Sequence, residues 1–299
     1  MISRKTIAPY LFLSPYLILF AAFSVFPILF GFWISFNHWT GFTPPTFAGF
    51  DNYLELAVDP RFRVALLNTV ILMAMIIPTQ LILGFILANI LNSTLLKGRS
   101  FFRTVYFLPH LTTAIAIGVI FSHMFDRNIG VFNRLLYDWG WIEQHINWTG
   151  EVWLSRIMVS MVTVWRWTGF TAVIFLAGLM NINPDLYEAA EIDGATRFQR
   201  LRHITFPLLK NVRNFIIITT VIGCFGLFEE PLAIFTQTTG ITGGPQNAAL
   251  TQMWLFFDTA FAHQMRYGYA SAIAFAMFLF IVAVTLILTK VLNVGGDPH

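Results

Sequence analysis

The stretch YEAAEIDGATRFQRLRHITFP, Tyr187–Pro207, is the most polar part of a 299-residue chain that is 57% hydrophobic and 11% charged. It carries Glu188, Glu191, Asp193, Arg197, Arg200 and Arg202 between two long apolar runs. Soluble domains are about a quarter charged. A chain this poor in charge lacks the polar surface to coat a water-facing globule, so lipid must face much of it. The polar stretch is then a loop between membrane spans.

A spanning helix needs roughly 20 mostly apolar residues. Working outward from the loop, six stretches qualify: about 10–36, 64–91, 103–125, 157–179, 212–235 and 267–292. They predict an all-α, polytopic membrane protein in which residues 1–299 form one transmembrane domain and 180–211 form its largest polar loop. The first run is too long for a cleaved signal peptide and has no small-residue cleavage site after it. Pro27 and Pro78 fall inside spans, which membrane helices tolerate when neighbours satisfy the freed carbonyls. Pro109 reads as a helix start.

Basic residues set the expected orientation. The N-terminus, the 92–103 loop, the 180–213 loop and the C-terminus hold eleven lysines and arginines, against six on the opposite loops. By the positive-inside tendency the first set is cytoplasmic, both termini included. The same asymmetry accounts for the net charge of +3 without a nucleic-acid partner. The single cysteine, Cys224, forms no intramolecular disulfide and reads as a small packing residue.

Local chemistry predicts two short helices in the polar loop. Asn183 is a good N-cap and Pro184 suits the first helical position. Asp185 and Glu188 place negative charge where the helix dipole favours it. Asp193-Gly194 ends the helix, because glycine takes the left-handed conformation cheaply. Ala195 to His203 forms a second turn or two, and Pro207 starts the next span. By charge alone the stretch is also compatible with a plain solvated loop.

The segment EAAEIDGATRFQRLRHITFP resembles the EAA loop of bacterial ABC importer permeases. Glu188, Ala189, Ala190, Gly194, Ile204 and Pro207 stand at that motif's spacings, with Phe206 where leucine is usual. Further stretches, among them GFDNYLELAVDPRF, GRSFFRTVYFLPHL and MRYGYASAIAFAMF, resemble the carbohydrate-uptake branch, and within it the first permease of the maltose and oligosaccharide type. The resemblance implies a type I ABC importer fold with six spans. It implies that Glu188, Ala189, Ala190, Asp193, Gly194, Arg197 and Pro207 couple to a cytoplasmic ATPase. It also implies a homologous second permease, a dimeric ATPase carrying the ATP and Mg, an extracytoplasmic solute-binding protein and a place in a bacterial or archaeal cytoplasmic membrane.

Polar residues inside spans are the usual pointers to a transport pathway. TVWRWTGF places Thr163, Trp165, Arg166, Trp167 and Phe170 in the fourth span. IGCFGLFEEPLAIF places Gly223, Cys224, Glu229 and Glu230 in the fifth, with Thr220 a turn earlier. By resemblance to the maltose importer, Thr163, Trp165, Arg166, Trp167, Phe170, Thr220, Gly223 and Cys224 align with its sugar contacts. Arg166 either pairs with one of the two glutamates or lines a watery cavity with both. Aromatic faces and carboxylates suit a sugar. Gly243-Gly244-Pro245 predicts a turn after the fifth span.

The expected cargo is a neutral di- or oligosaccharide; glycerol-3-phosphate, a monosaccharide, or a secondary transporter are the alternatives. No P-loop motif is present, so ATP hydrolysis belongs to a partner and the chain needs no cofactor of its own. An enzyme is disfavoured: His38, His110, His123, His145, His203 and His263 are scattered, and no His-Glu-x-x-His or Asp-rich metal motif occurs.

Overall fold

The computed structural model describes residues 4–93, 96–238, 242–262 and 264–293, so His263 lies outside the described residues. Four described helices are long and apolar enough to cross a membrane, and six if each of two bent pairs is one span. The chain divides into two compact units, residues 1–62 with 255–279, and residues 63–254 with 280–299.

The first unit begins with α1 (Arg4–Phe20), which passes through a π-turn at Ala21–Val25 into α2 (Phe26–Ser35). Pro27 sits at the start of α2, directly after the π-turn, where its missing N–H is accommodated by the widened turn. Within Phe12–Ser35 only 6% of the apolar window is buried, so most of these side chains face outward. A two-residue ribbon follows, β1 (Asn37–His38) antiparallel to β2 (Thr46–Phe47), and then α3 (Asp51–Val58). The buried Asn52 amide donates to the carbonyls of Ser35 and Asn37, closing the end of α2 over α3. Residues 255–279 pack back on this ribbon. Gly268 lies against the Asn37 carbonyl, where no Cβ fits.

The second unit holds most of α4 (Pro60–Asn92), then α5 (Arg99–Leu111), α6 (Ala114–Met124), α7 (Val131–Asp138) and α8 (Val152–Met180). After these come the short helices α9 (Asp185–Ile192), α10 (Arg197–Arg200) and α11 (Phe206–Leu208), then α12 (Lys210–Phe225) and α13 (Glu229–Thr238). Two last helices, α14 (Gln252–Phe257) and α15 (Tyr267–Val291), each begin in one unit and end in the other. Helix α8 is the centre of the second unit, with 56% of its apolar window buried. Small residues set its neighbours' distance. Gly169 touches the Tyr106 carbonyl of α5, and Gly84 of α4 touches the Thr171 side chain. Leu87, Leu91, Phe175, Leu176, Leu209 and Ile216 form the apolar core below them.

Two expected spans are not single helices. The run 103–125 is α5 and α6, bent by 93° where Thr112 and Thr113 are extended. Pro109 lies in the last turn of α5 and is not the start of a helix. The run 212–235 stops at Phe225 and resumes at Glu229. Pro231 is the cause on the second side, since it has no N–H for the Leu227 carbonyl. Thr251 Oγ1 donates to that carbonyl instead, at 2.5 Å. The Gly243-Gly244-Pro245 turn forms, with φ of +83° and +70° at its glycines and Ala249 N–H donating to the Gly243 carbonyl.

Candidate translocation cavity and polar loop

The polar loop folds as a capped helical hairpin. Asn183 Oδ1 accepts from the Asp185 N–H at 3.1 Å and opens α9. Gly194, at φ +75°, closes it. The Gly194 N–H reaches the Glu191 carbonyl and the Ala195 N–H reaches that of Ala190, the paired bonds of a Schellman ending. Helix α10 then starts on a capping box: Thr196 Oγ1 accepts from the Gln199 N–H, and Gln199 Oε1 accepts from the Thr196 N–H. The Thr-x-x-Gln spacing is the sequence signal of this cap.

Two contacts fix the angle between the arms. Arg200 Nη1 donates to Glu191 Oε2 at 2.8 Å, and the hydroxyls of Tyr187 and Thr205 lie 2.9 Å apart. Glu188, Ala189, Asp193, Gly194, Arg197 and Pro207 are all exposed, and Ala190 is half-buried. Ile192 and Phe198 are exposed beside them at 87% and 68%, an apolar pair that water does not favour. Pro207 sits in α11, one turn ahead of the long helix, which begins at Lys210.

A cavity of about 380 Å³ lies between α4, α8, α12 and α13. Of the expected pathway residues, Thr163, Arg166, Trp167, Phe170, Thr220, Gly223, Cys224, Glu229 and Glu230 line it. Trp165 does not. It faces a separate hollow of about 730 Å³ on the other side of α8 and packs on Phe121. Helical geometry requires this: at about 100° per residue, Trp165 points some 200° away from Thr163, while positions 166, 167 and 170 fall within about 60° of it.

The charges in the cavity divide into a bound pair and a free carboxylate. Arg166 Nη1 donates to Glu230 Oε1 at 2.6 Å, with side chains 14% and 5% exposed. Burying either charge alone is costly, and the pair offsets that cost. Glu229, the next residue, is exposed to the cavity. Trp167 and Phe170 hold the aromatic wall, with His110 of α5 edge-on to Trp167 at 4.6 Å and stacked on Phe170 at 4.7 Å. Gln80 and Thr171 also line the cavity. Neither was among the residues expected from sequence, although a glutamine in the middle of an apolar span is itself a signal.

Among the described residues, no cluster of three His, Cys, Asp or Glu is placed to hold a metal. A membrane protein with a capped polar hairpin ahead of one broken span, and a polar cavity where that break meets its neighbours, has the build of a transport permease. The chain belongs to the family described as binding-protein-dependent transport system inner membrane component, which it matches over residues 56–293. It is therefore an ABC importer permease subunit and not an enzyme. It is 34% identical over 241 residues to the lactose transport system permease protein LacF of Rhizobium radiobacter, covering 81% of this chain and 79% of that protein. It is 35% identical over 298 residues to the probable ABC transporter permease protein YurN of Bacillus subtilis, covering 99% and 100%. Its fold matches a bacterial ABC transporter involved in the import of the acidic polysaccharide alginate, with a TM-score of 0.77 at 22% identity over 98% of each chain.

Proposed function

We propose that the chain forms half of the translocation pathway of an ATP-driven, binding-protein-dependent importer of a neutral di- or oligosaccharide. The observation that carries this reading is the pairing of the charged side chains in the cavity. Its one arginine is already engaged by Glu230, while Glu229 stands free. The lining is thus net acidic and aromatic, which suits hydroxyl donors and the apolar face of a sugar ring. A phosphate ester would meet Glu229, and the cation among the described lining residues, Arg166, is already paired with Glu230. Like charges about 4 Å apart repel by around 4 kcal/mol at an effective dielectric of 20. The lactose permease relative supports a disaccharide-sized cargo.

The hairpin of α9 and α10 serves as the dock for a cytoplasmic ATPase dimer, which supplies the ATP and Mg. Its exposed Ile192 and Phe198 give that partner an apolar surface to cover. A homologous second permease completes the pathway, an extracytoplasmic solute-binding protein delivers the cargo, and both termini are cytoplasmic. This chain takes the place of the first permease of the pair.

The test is uptake in a strain carrying only this system, with lactose and glycerol-3-phosphate as labelled cargoes. Uptake of the disaccharide and not of the phosphate ester is expected, with Glu229→Gln relaxing the exclusion. Strong wild-type uptake of glycerol-3-phosphate that ignores Glu229→Gln would sink the reading.

A further inference from the structure

Gln80 is buried in the wall of the cavity, 4% exposed, near the middle of α4. An uncharged amide at such a site is costly unless bonded. Half of it is: Nε2 donates to Thr171 Oγ1 of α8 at 2.6 Å. The other half is not. No described residue donates to Oε1, and Gln80 lines this cavity.

The local packing explains why the amide is held there. Ile76, Gln80 and Gly84 are spaced by four and share one face of α4. Gly84, lacking a Cβ, lets α4 close onto the Thr171 side chain. Ile76 lines the same cavity one turn the other way. Close approach at position 84 therefore sets position 80 against Thr171, and the bond fixes the rotation of the amide about its last torsion. What remains is an acceptor of fixed direction in the cavity wall. The other groups there differ in kind: Glu229 is charged and exposed, and the Arg166 guanidinium is committed to Glu230.

We propose that Gln80 is a specificity-determining residue of the transport pathway, its Nε2 anchored on Thr171 so that Oε1 accepts one particular hydroxyl of the cargo. This rests on the sugar reading above and adds α4 to the helices that recognise the cargo. An acceptor of fixed direction distinguishes epimers and deoxy analogues, because a hydroxyl that is absent or turned away leaves Oε1 unbonded in the wall.

The experiment uses the complete transporter with its binding protein, reconstituted in proteoliposomes, and labelled lactose, maltose and cellobiose as probes. For whichever of these the wild type takes up, Gln80→Met is expected to raise the KM of uptake about tenfold, the equivalent of one neutral hydrogen bond, with the maximal rate retained. Thr171→Val, which frees the amide to rotate, is expected to raise KM by a smaller factor, and Thr171→Ser to restore it. Among monodeoxy analogues of the same sugar, one is discriminated against by the wild type and accepted equally with its parent by Gln80→Met. Should Gln80→Met not assemble, Gln80→Asn, which withdraws the amide by one methylene, carries the same expectation. A KM that stays constant, a loss confined to the maximal rate, or unchanged discrimination among the analogues would show a helix–helix clamp only and overturn the proposal. Wild-type uptake of none of the three sugars would overturn the sugar reading, and this one with it.

Discussion

Arg166 of α8 and Glu230 of α13 are joined at 2.6 Å, one residue away from a glutamate that has no such partner. Two adjacent carboxylates thus have opposite roles. Glu230 lies against α8 because α13 starts afresh at Glu229, and the break at Gly226–Phe228 lets its first turn point inward. Removing one member of a buried pair leaves a buried charge uncompensated, at a cost of about 3–5 kcal/mol. Glu230→Ala and Arg166→Ala are each expected to lower the thermal midpoint of the purified transporter and its yield from membranes. The double variant Arg166→Met, Glu230→Leu should recover most of that loss. A double variant as unstable as the sum of the singles would show that the two side chains do not act as a pair.

The α9–α10 hairpin allows a ranking. Gly194 holds φ +75°, where a residue with a Cβ is strained, by about 1–2 kcal/mol. The Arg200–Glu191 pair is at the surface, its glutamate 73% exposed, and such pairs contribute about 0–1 kcal/mol. Gly194→Val should therefore impair ATPase-coupled uptake more than Glu191→Ala or Arg200→Ala, while insertion in the membrane stays normal. Equal transport by all three variants would speak against a docking role for the hairpin.

In the first unit, Glu55 meets Arg266 through two bonds, at 2.7 and 2.5 Å. The hydrogen bond from Arg266 holds the Glu55 carboxyl below its ordinary value of 4.5. The sign follows from the lowered value: the stabilisation is fully present above the unfolded-state pKa and is lost as pH falls through the lower, folded-state one. Both side chains are more than a third exposed, so solvent screens the effect to well under about 1 kcal/mol. A thermal midpoint that is flat from pH 7 to 5 and falls below 4.5 is expected, with a slightly shallower fall in Glu55→Gln. Identical acid profiles for the two proteins would remove the pair from the account.

What the sequence showed and hid follows from period and distance. The membrane character and the hairpin caps at Asn183 and Gly194 are local, so composition and spacing revealed them. The break at Gly226 was hidden because the hydroxyl that serves the Leu227 carbonyl comes from Thr251, 24 residues further on, beyond any local pattern. Gln80 was hidden for a related reason: its partner Thr171 is 91 residues away, and no local pattern pairs them. Arg166 offered a choice of two glutamates, and only the turn at the start of α13 decided between them.

Trp165 and Trp167 provide the sharpest internal comparison, because sequence treated them alike and geometry separates them. Trp167 lines the polar cavity, braced by Phe170 and His110 at ring distances of 5.9 and 4.6 Å. Trp165 is 48% exposed on the opposite face and packs edge-on against Phe121 of α6. Truncating the first removes a ring that a sugar face would cover, and truncating the second removes only packing. Trp167→Ala is expected to raise the KM for disaccharide uptake by about tenfold or more, the loss of roughly 1–2 kcal/mol of ring contact. Trp165→Ala is expected to leave KM within about twofold of wild type while lowering the thermal midpoint. Both variants keep the Arg166–Glu230 pair, so charge is held constant between them. If Trp165→Ala weakened uptake as much as Trp167→Ala at equal protein levels, the cargo path would have to run along the Trp165 face of α8, and the cavity of α4, α8, α12 and α13 would lose its assigned role.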